Sequence, residues 1–256
     1  MTIPSPNGNS ASSASGALVD FQGMTKIYGE GMAEVRALDG VDLRIETGEF
    51  VAIMGPSGSG KSTCLNMIGC LDSPTSGSYR FAGVEVGSLT RNQRALLRRH
   101  YLGFVFQGYN LLKRTSALEN VEMPLVYRRV PGRERRARAR EALAAVGLEG
   151  RGHHTSAELS GGQQQRVAIA RAIVSEPALL LADEPTGNLD SKTSREIMDL
   201  LARLNADSGI TVVMVTHEEE MAAYAGRIVR FLDGRVVSDR ERPAVPTPLE
   251  RGGRPA

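Results

Sequence analysis

The residues from Gly55 to Thr63, GPSGSGKST, combine glycines, a lysine and hydroxyl groups in a spacing that suits phosphate binding. They follow the apolar run Phe50–Met54 and open a helical pattern over Ser62–Leu71, so a strand, a glycine loop and a helix come in order. The glycines let the backbone wrap a phosphate chain, and the helix start adds positive potential. Lys61 is expected to reach the β- and γ-phosphates of a nucleotide, and the Ser62 hydroxyl is expected to ligate Mg²⁺. The residues predicted to contact the nucleotide here are Gly55, Ser57, Gly58, Ser59, Gly60, Lys61, Ser62 and Thr63.

A pair of carboxylates ends a second apolar run. Leu179–Ala182 is typical of a buried strand, and Asp183 and Glu184 follow it directly. Ligands of open α/β sheets lie beyond the carboxyl ends of the strands, which predicts that both acids lie near the phosphate loop. Asp183 is then placed to hold Mg²⁺, and Glu184 to orient or deprotonate a water that attacks the γ-phosphate. Taken alone, the pattern also fits a strand end capped by solvated acids.

The turn Ser160-Gly161-Gly162-Gln163 is the third group of residues suited to bind a ligand, and it opens a helical pattern over Gln163–Val174. A helix that starts in this way offers free backbone N–H groups and the positive end of its dipole, which makes a second anion site. One nucleotide does not need two such sites from one chain. The pattern therefore favours two chains arranged head to tail, each Ser160 helix facing the nucleotide of the other.

Short continuous apolar runs, separated by helical patterns, indicate the elements that must position these groups. Such runs are typical of parallel strands covered on both faces, so the alternation predicts an α/β fold with a doubly wound core. β-rich stretches before Phe50 predict an antiparallel layer, and residues from about 116 to 160 predict a helical insertion. The predicted core strands are Phe50–Met54, Leu102–Phe106, Leu179–Ala182, Thr211–Val215 and Ile228–Leu232; the antiparallel layer would hold Leu18–Tyr28, Val35–Leu38 and Val41–Ile45.

The composition and net charge of the chain exclude several classes of protein. The chain of 256 residues is 41% hydrophobic and 23% charged, as expected of one large globular domain. A net charge of +2 does not indicate a nucleic-acid-binding protein, and no apolar run is long enough to span a membrane. Residues 1–16 and 239–256 have the composition of disordered tails, which leaves a folded domain over residues 17–238. The spacing of Cys64 and Cys70 fits no metal motif and favours buried thiols in a reducing compartment.

These motifs, in this order, resemble the ATP-binding cassette (ABC) family. Residues 159–163, LSGGQ, match the signature of that family, and they accompany the phosphate loop and the LLLADE strand. Gln107, after the apolar run 104–106, matches the Q-loop glutamine, and Asp190 in GNLD matches the D-loop. His217 in VTH matches the switch histidine, and Tyr28 in KIY matches the aromatic residue that stacks on adenine.

The resemblance implies a P-loop NTPase core with a mixed sheet, an antiparallel β subdomain and a helical insertion subdomain. It implies an ATPase that uses ATP and Mg²⁺ and forms a homodimer when ATP binds. By resemblance, the catalytic groups are Glu184, His217, Lys61 and Gln107, and the Mg²⁺ ligands are Ser62, Gln107 and Asp183. The remaining nucleotide contacts would come from Tyr28, Gln107 and, across the dimer interface, Ser160, Gly161, Gly162, Gln163 and Asp190.

Three strings carry a finer resemblance, to stand-alone cassettes of the macrolide-export and lipoprotein-release type. They are residues 68–77, IGCLDSPTSG, residues 118–121, LENV, and residues 182–190, ADEPTGNLD. This resemblance implies a separate transmembrane permease, a task of export or mechanical transmission, and a peripheral location on the cytoplasmic face of the inner membrane. It also implies that the apolar surface of Gln107–Thr115, including Leu111, borders a groove for a permease helix.

Two alternatives stay open at this point. A cassette ATPase that regulates a cell-envelope process, such as wall hydrolysis at division, would share every motif above. The stretch from Arg128 to Arg140 holds seven arginines, which fits either a basic face near anionic partners or an ordinary solvated helix. A nucleic-acid partner is not expected.

Overall fold

A computed structural model describes residues 16–242 of the chain, apart from the side chain of Met32. The predicted N-terminal tail therefore lies, except for its last residue, outside the described residues, as do residues 243–256 of the predicted C-terminal tail. The described part of that second tail is ordered. A strand over Arg235–Glu241 pairs with its neighbour as far as Glu241, so regular structure extends past the predicted domain boundary at residue 238.

The main sheet has six strands: β3 (Phe50–Met54), β6 (Leu102–Phe106), β7 (Leu179–Asp183), β8 (Thr211–Val215), β9 (Arg227–Leu232) and β10 (Arg235–Glu241). Their order across the sheet is β10-β9-β3-β8-β7-β6, and all neighbours are parallel except the edge pair β10 and β9. Every residue of β3 and β8 is buried, as the continuous apolar runs predict. The carboxyl ends of β3, β8, β7 and β6 lie in a row, which places the loops that follow them side by side.

The second sheet is antiparallel and confirms the predicted layer beside the main sheet. It contains β1 (Val19–Tyr28), β2 (Val35–Ile45), β4 (Ser76–Phe81) and β5 (Val84–Glu85) in the order β2-β1-β4-β5. The predicted strands Val35–Leu38 and Val41–Ile45 are parts of the single strand β2, with an irregularity between them where the register against β1 shifts and Gly40 has a φ of 68°. A bulge of this kind keeps one long strand where the sequence suggests two short ones.

Seven α-helices complete the described part of the chain: α1 (Lys61–Ile68), α2 (Arg91–Tyr101), α3 (Ala117–Tyr127), α4 (Gly132–Ala145), α5 (Gly161–Ile173), α6 (Ser191–Ser208) and α7 (Glu219–Ala222). Alternate residues of β3 enter two hydrophobic cores. Ala52 and Met54 belong to the core that includes α3 to α6, whereas Val51 and Ile53 belong to the core shared with α1 and the antiparallel sheet. Among residues 16–242, no helix combines the length and the apolar character needed to cross a membrane.

The arginine-rich stretch is used in part for packing. Arg128 donates hydrogen bonds to two backbone carbonyls at the end of α2. Arg135 pairs with the buried Glu122 at 2.7 Å, and Arg138 pairs with Glu176 at 3.0 Å. These contacts fix the helical insertion to its neighbours, so a structural role accounts for these three arginines.

Candidate functional site

The phosphate loop connects the end of β3 to the start of α1, and two of its glycines are required by close backbone contacts. Gly55 has a φ of 152°, and a Cβ atom there would lie 2.2 Å from the carbonyl oxygen of Phe231. Gly60 has a φ of 101°, and a Cβ atom there would lie 2.3 Å from the carbonyl oxygen of Ala37. Only glycine fits these two positions, which bring the loop against β9 and β2.

This crowding predicts different costs for two alanine substitutions in the same loop. Gly55→Ala combines an unfavourable φ with a backbone clash, so we expect a loss of about 3 kcal/mol in the free energy of unfolding. Gly58→Ala is the matched control, because Gly58 also has a positive φ, 79°, but open space at the Cβ position. We expect about 1 to 2 kcal/mol for it. Urea unfolding of both variants measures the difference, and equal losses would contradict the packing argument.

The loop also carries the polar groups expected of a phosphate cradle. Lys61 is only 7% exposed, and its Nζ donates to the carbonyl oxygen of Pro56 at 2.8 Å, so the side chain lies over the loop. The hydroxyl of Ser59 is buried and has no hydrogen-bond partner among the described residues. An adjoining cleft of about 520 Å³ is lined by Val35, Ala37, Ser57, Gly58, Gly60, Lys61, Ser62, Thr63, Glu184 and His217. The sequence predictions for the loop, Glu184 and His217 thus converge on one cleft.

Asp183 is the last residue of β7 and Glu184 follows it, so the strand extends one residue beyond the predicted Leu179–Ala182. The surroundings of the two carboxylates differ. Burial and the charge of Glu184 raise the pKa of Asp183 above its ordinary value, although Lys61 opposes the shift. Glu184 adopts a φ of 44°, and its N–H donates to the carbonyl oxygen of Val215 at 3.0 Å, which fixes it beside the end of β8. Its Oε1 lies 3.0 Å from Nδ1 of His217. A carboxylate and an imidazole are therefore paired at the mouth of the cleft.

Gln107 follows β6, and its loop is tied to the segment after Glu184. Its side chain packs against Gly187, where a Cβ atom would lie 2.6 Å from Nε2 of Gln107. Asn188 donates to the backbone carbonyl oxygen of Gln107 at 3.0 Å. The structure places Gln107 beside the chain that carries Glu184, but not among the residues that line the cleft.

The serine–glycine–glycine turn is built as a capped helix start. The Oγ of Ser160 accepts from the N–H of Gln163 at 3.3 Å, and the Oε1 of Gln163 accepts from the N–H of Ser160 at 3.0 Å. This capping box engages the Gln163 side-chain oxygen within its own chain, and the contact of Gln163 with a nucleotide across the dimer interface stays a prediction. Neither residue lines the cleft beside the phosphate loop.

Close packing surrounds the turn. A Cβ atom on Gly161 would lie 2.9 Å from the hydroxyl oxygen of Tyr109, and one on Gly162 would lie 2.4 Å from Cγ2 of Thr193. Asp190 caps α6 by accepting from the N–H of Thr193 at 3.0 Å and from its hydroxyl at 2.6 Å. Those hydrogen bonds hold the pKa of Asp190 below its ordinary value. The predicted D-loop and signature residues thus lie against one another.

Tyr28 ends β1, opposite Val35, which lines the cleft. It is 40% exposed, and its hydroxyl donates to Asp72, which follows the phosphate helix α1. The hydrogen bond of Tyr28 with Asp72 was not predicted from the sequence, since residues 44 positions apart leave no local signal. The contact of its ring with Lys26, two residues away, was not predicted either.

The predicted Mg²⁺ ligands Ser62, Gln107 and Asp183 all carry oxygen donors. Within residues 16–242, no cluster of three His, Cys, Asp or Glu side chains is arranged to hold a metal ion alone. The predicted set, Ser62, Gln107 and Asp183, offers hydroxyl, amide and carboxylate oxygens. Mg²⁺ prefers oxygen donors and commonly binds through one or two protein groups together with substrate phosphates. The chemistry of this set therefore fits Mg²⁺ held with a nucleotide.

The sheet has the arrangement of a P-loop nucleoside triphosphatase. Its strand β3 leads into a glycine loop and the helix α1, and the parallel strand β7, two places away in the sheet, leads into the acids Asp183 and Glu184. The family model described as ABC transporter matches residues 38–187. The chain belongs to the ABC transporter family and contains its ATP-binding cassette, an ATPase. This confirms the resemblance and the predicted fold class.

Curated relatives and solved structures agree with this assignment. The chain is 51% identical over 230 residues to the macrolide export ATP-binding/permease protein MacB of Azoarcus sp., covering 90% of this chain and 35% of the relative. It is 51% identical over 234 residues to the pyoverdine export ATP-binding/permease protein PvdT of Pseudomonas aeruginosa, with coverage of 90% and 35%. The chain thus spans about a third of the length of these relatives.

Two solved structures have nearly the same fold. One is the ATP-binding cassette MJ0796, in a dimeric post-hydrolysis state bound to ADP and Pi, with 47% identity and a TM-score of 0.81 over 89% of this chain and all of that chain. The other is cbiO1 of Clostridium perfringens, part of the ABC transporter complex cbiONQ. It has 31% identity and a TM-score of 0.80 over 88% of this chain and 89% of that chain.

Proposed function

We propose that this chain hydrolyses ATP with Mg²⁺ as a head-to-tail homodimer and thereby drives a separate transmembrane permease in export or mechanical transmission. The observation that carries this proposal is the division of the site. The phosphate loop, Glu184 and His217 share one cleft, whereas the capped turn at Ser160 lies elsewhere on the same chain. A second copy is needed to bring that turn to the nucleotide.

Each group in the cleft has a role that follows from its position. Lys61 binds the β- and γ-phosphates once its Nζ exchanges the carbonyl of Pro56 for phosphate oxygens. Glu184 orients the attacking water and takes up its proton, and His217 hydrogen-bonds the γ-phosphate. Catalysis of this kind consists of positioning and electrostatic stabilisation. When bound, Mg²⁺ would be held by Ser62, Gln107 and Asp183, and it would neutralise the phosphate charge.

The turn at Ser160 offers hydrogen-bond donors to an anion held by another molecule. Its hydroxyl accepts from Gln163 within the helix cap, which leaves the O–H proton for a ligand oxygen. The N–H groups of Gly161 and Gly162, at the start of α5, have no hydrogen-bond partners inside the helix, and they lie at the positive end of its dipole. Ser160 and the backbone of Gly161 and Gly162 would therefore complete the γ-phosphate site of the opposite copy, with Asp190 at the interface. The dimeric state of the related cassette supports this arrangement.

A groove on the helical side of the cassette is the proposed contact for the permease. Its volume is about 560 Å³, and apolar side chains of β6 and α3 line it together with arginines. The lining includes Leu71, Phe104, Phe106, Pro124, Tyr127, Arg98, Arg99 and Arg171. We assign it to a cytoplasmic helix of the permease with apolar and acidic side chains, and we propose the cytoplasmic face of the inner membrane as the location of the cassette. The names of the curated relatives, which include a permease function, support this partner.

The role expected for Leu111 in the permease contact stays a prediction. Leu111 is half-buried, packs against the core and lines a neighbouring cavity rather than this groove. Leu112 is the exposed neighbour, at 46%. A charge at Leu111 would disturb folding as well as docking, so the test must use another residue.

Arg171 provides a physical connection between the groove and the signature turn. It lies on α5, lines the groove and donates to the carbonyl oxygens of Tyr109 and Asn110 at 2.8 and 2.6 Å. The hydroxyl of Tyr109 in turn lies against Gly161. Movement of a permease helix in the groove would therefore reach the turn that contacts the nucleotide of the opposite copy.

Tyr127 gives the cleanest test of the groove, since it is 63% exposed. We expect Tyr127→Asp to weaken permease binding about tenfold or more while basal ATP hydrolysis stays intact, because an aromatic anchor is lost far from the cleft. Val237→Asp is the matched control, as Val237 is 59% exposed on the distant edge strand β10. Copurification with the permease from detergent-solubilised membranes and permease-stimulated hydrolysis are the measurements. Equal behaviour of the two variants would contradict the assignment of the groove.

A further inference from the structure

Tyr28 is tied to an acidic residue that follows the phosphate helix. Its hydroxyl donates to Oδ2 of Asp72 at 2.8 Å. Lys26 donates to Oδ1 of Asp72 at 2.8 Å and to the carbonyl oxygen of Ser73 at 2.8 Å. The N–H of Ser73 also donates to Oδ1 of Asp72, at 2.7 Å. One carboxylate thus accepts from a phenol, an ammonium group and the backbone.

This network fixes the orientation of the Tyr28 ring. The Nζ of Lys26 lies 4.7 Å from the ring centroid, so a cation covers one face. Tyr28 remains 40% exposed, which leaves ring surface available to a ligand. Asp72 itself is anchored through Ser73, and it follows α1, the helix that begins at Lys61. The ring is therefore held relative to the phosphate loop and not only relative to its own strand.

The protonation states of Asp72 and Tyr28 suit the hydrogen bond that holds the Tyr28 ring. Although burial raises it, the hydrogen bonds from Lys26 and Tyr28 hold the pKa of the Asp72 carboxyl below its ordinary value. Burial and the hydrogen bond to Asp72 raise the pKa of the Tyr28 hydroxyl. Asp72 is thus ionised and Tyr28 neutral at physiological pH, which are the protonation states that this hydrogen bond needs.

We propose that Asp72 is a positioning residue that, with Lys26, holds the Tyr28 ring as a fixed platform for the base of the nucleotide bound at the phosphate loop. This inference rests on the proposed function, since it presumes that ATP occupies the cleft. A free tyrosine side chain loses rotational freedom when a base stacks on it, whereas a clamped ring has lost that freedom before binding. Asp72 therefore acts on the base and not on the phosphates.

The test separates these two parts of the ligand. Isothermal titration calorimetry on the full chain would measure the dissociation constants of ATP and of inorganic tripolyphosphate, which lacks the base. We expect Asp72→Ala to weaken ATP binding about fivefold and to leave tripolyphosphate binding unchanged. Tyr28→Phe keeps the ring but removes its bond to Asp72, so it should have a similar effect. The double variant should bind ATP no more weakly than the worse single variant, because the two residues act through one hydrogen bond.

Asp207→Asn, which alters an exposed carboxylate on α6, is the control for a general change of charge. ATP binding by Asp72→Ala at the wild-type affinity would overturn the inference. So would equal losses for ATP and tripolyphosphate, since they would indicate damage to the phosphate loop. Failure of the wild-type chain to bind ATP would instead remove the proposed function, and the inference with it.

Discussion

Replacement of Glu184 by glutamine is expected to slow ATP hydrolysis at least about a hundredfold while ATP still binds. The carboxylate at the mouth of the cleft is the proposed acceptor for the proton of the attacking water, and an amide cannot take up that proton. Loss of one such group typically costs about 3 kcal/mol of activation free energy. Because the nucleotide then persists, we also expect Glu184→Gln to accumulate as a dimer in the presence of ATP and Mg²⁺.

Steady-state hydrolysis and gel filtration with ATP and Mg²⁺ measure both effects. Glu220→Gln is a suitable control, since Glu220 is an exposed glutamate that pairs only with the exposed Arg195 on the surface of the described chain. It should hydrolyse ATP at the wild-type rate and should not trap a dimer. A Glu184→Gln protein that hydrolyses ATP at a near-normal rate would remove Glu184 from its proposed role.

Substitution of Ser160 by arginine is expected to abolish hydrolysis through a different route. The residue is exposed and lies outside the cleft of its own chain, so binding of ATP to the monomer should be unaffected. A long cation at this point would displace the turn from the nucleotide of the opposite copy. We therefore expect a loss of hydrolysis of about a hundredfold or more, together with loss of the ATP-dependent dimer.

The chain contains a closely matched control for this variant. Ser116 caps α3 with the same reciprocal arrangement, in which Glu119 takes the place of Gln163. Ser116→Arg should lose a similar capping contribution, about 1 kcal/mol of stability, without touching the proposed interface. Near-wild-type hydrolysis by Ser160→Arg, or equal losses in the two variants, would show that the turn has no special role.

Much of the main sheet and the phosphate loop could be predicted from local patterns. β3, β6 and β8 have the predicted bounds, because fully buried parallel strands leave continuous apolar runs in the sequence. The glycine spacing from Gly55 to Gly60 predicts the loop, since its conformation excludes other residues. Glu184 and His217 could be expected to lie close together because their strands end at the same edge of the sheet.

Features that depend on tertiary contacts were harder to predict. Only one residue of α2, Leu97, is fully buried, and most of the other residues are charged or polar, so the helix has few apolar residues that would mark it in the sequence. The edge strand β10 is mostly exposed and charged, which is typical of an edge and resembles a tail. The hydrogen bond between Tyr28 and Asp72 and the packing of Leu111 against the core depend on residues distant in the chain. The capping role of Gln163 is visible in its spacing from Ser160, but the family resemblance favours a nucleotide contact instead.

Cysteine cross-linking between copies tests the composite nucleotide site most directly. The native Cys64 and Cys70 are suited to remain unreactive, since burial raises their pKa to about 12 and about 11. Ser57→Cys in the phosphate loop and Ala157→Cys near the signature turn would be placed on differently tagged chains, both with Glu184→Gln, and mixed with a short bismaleimide. We predict a cross-link between the two tags with ATP and Mg²⁺, and none with ADP. An ATP-dependent dimer without that cross-link would contradict the head-to-tail arrangement.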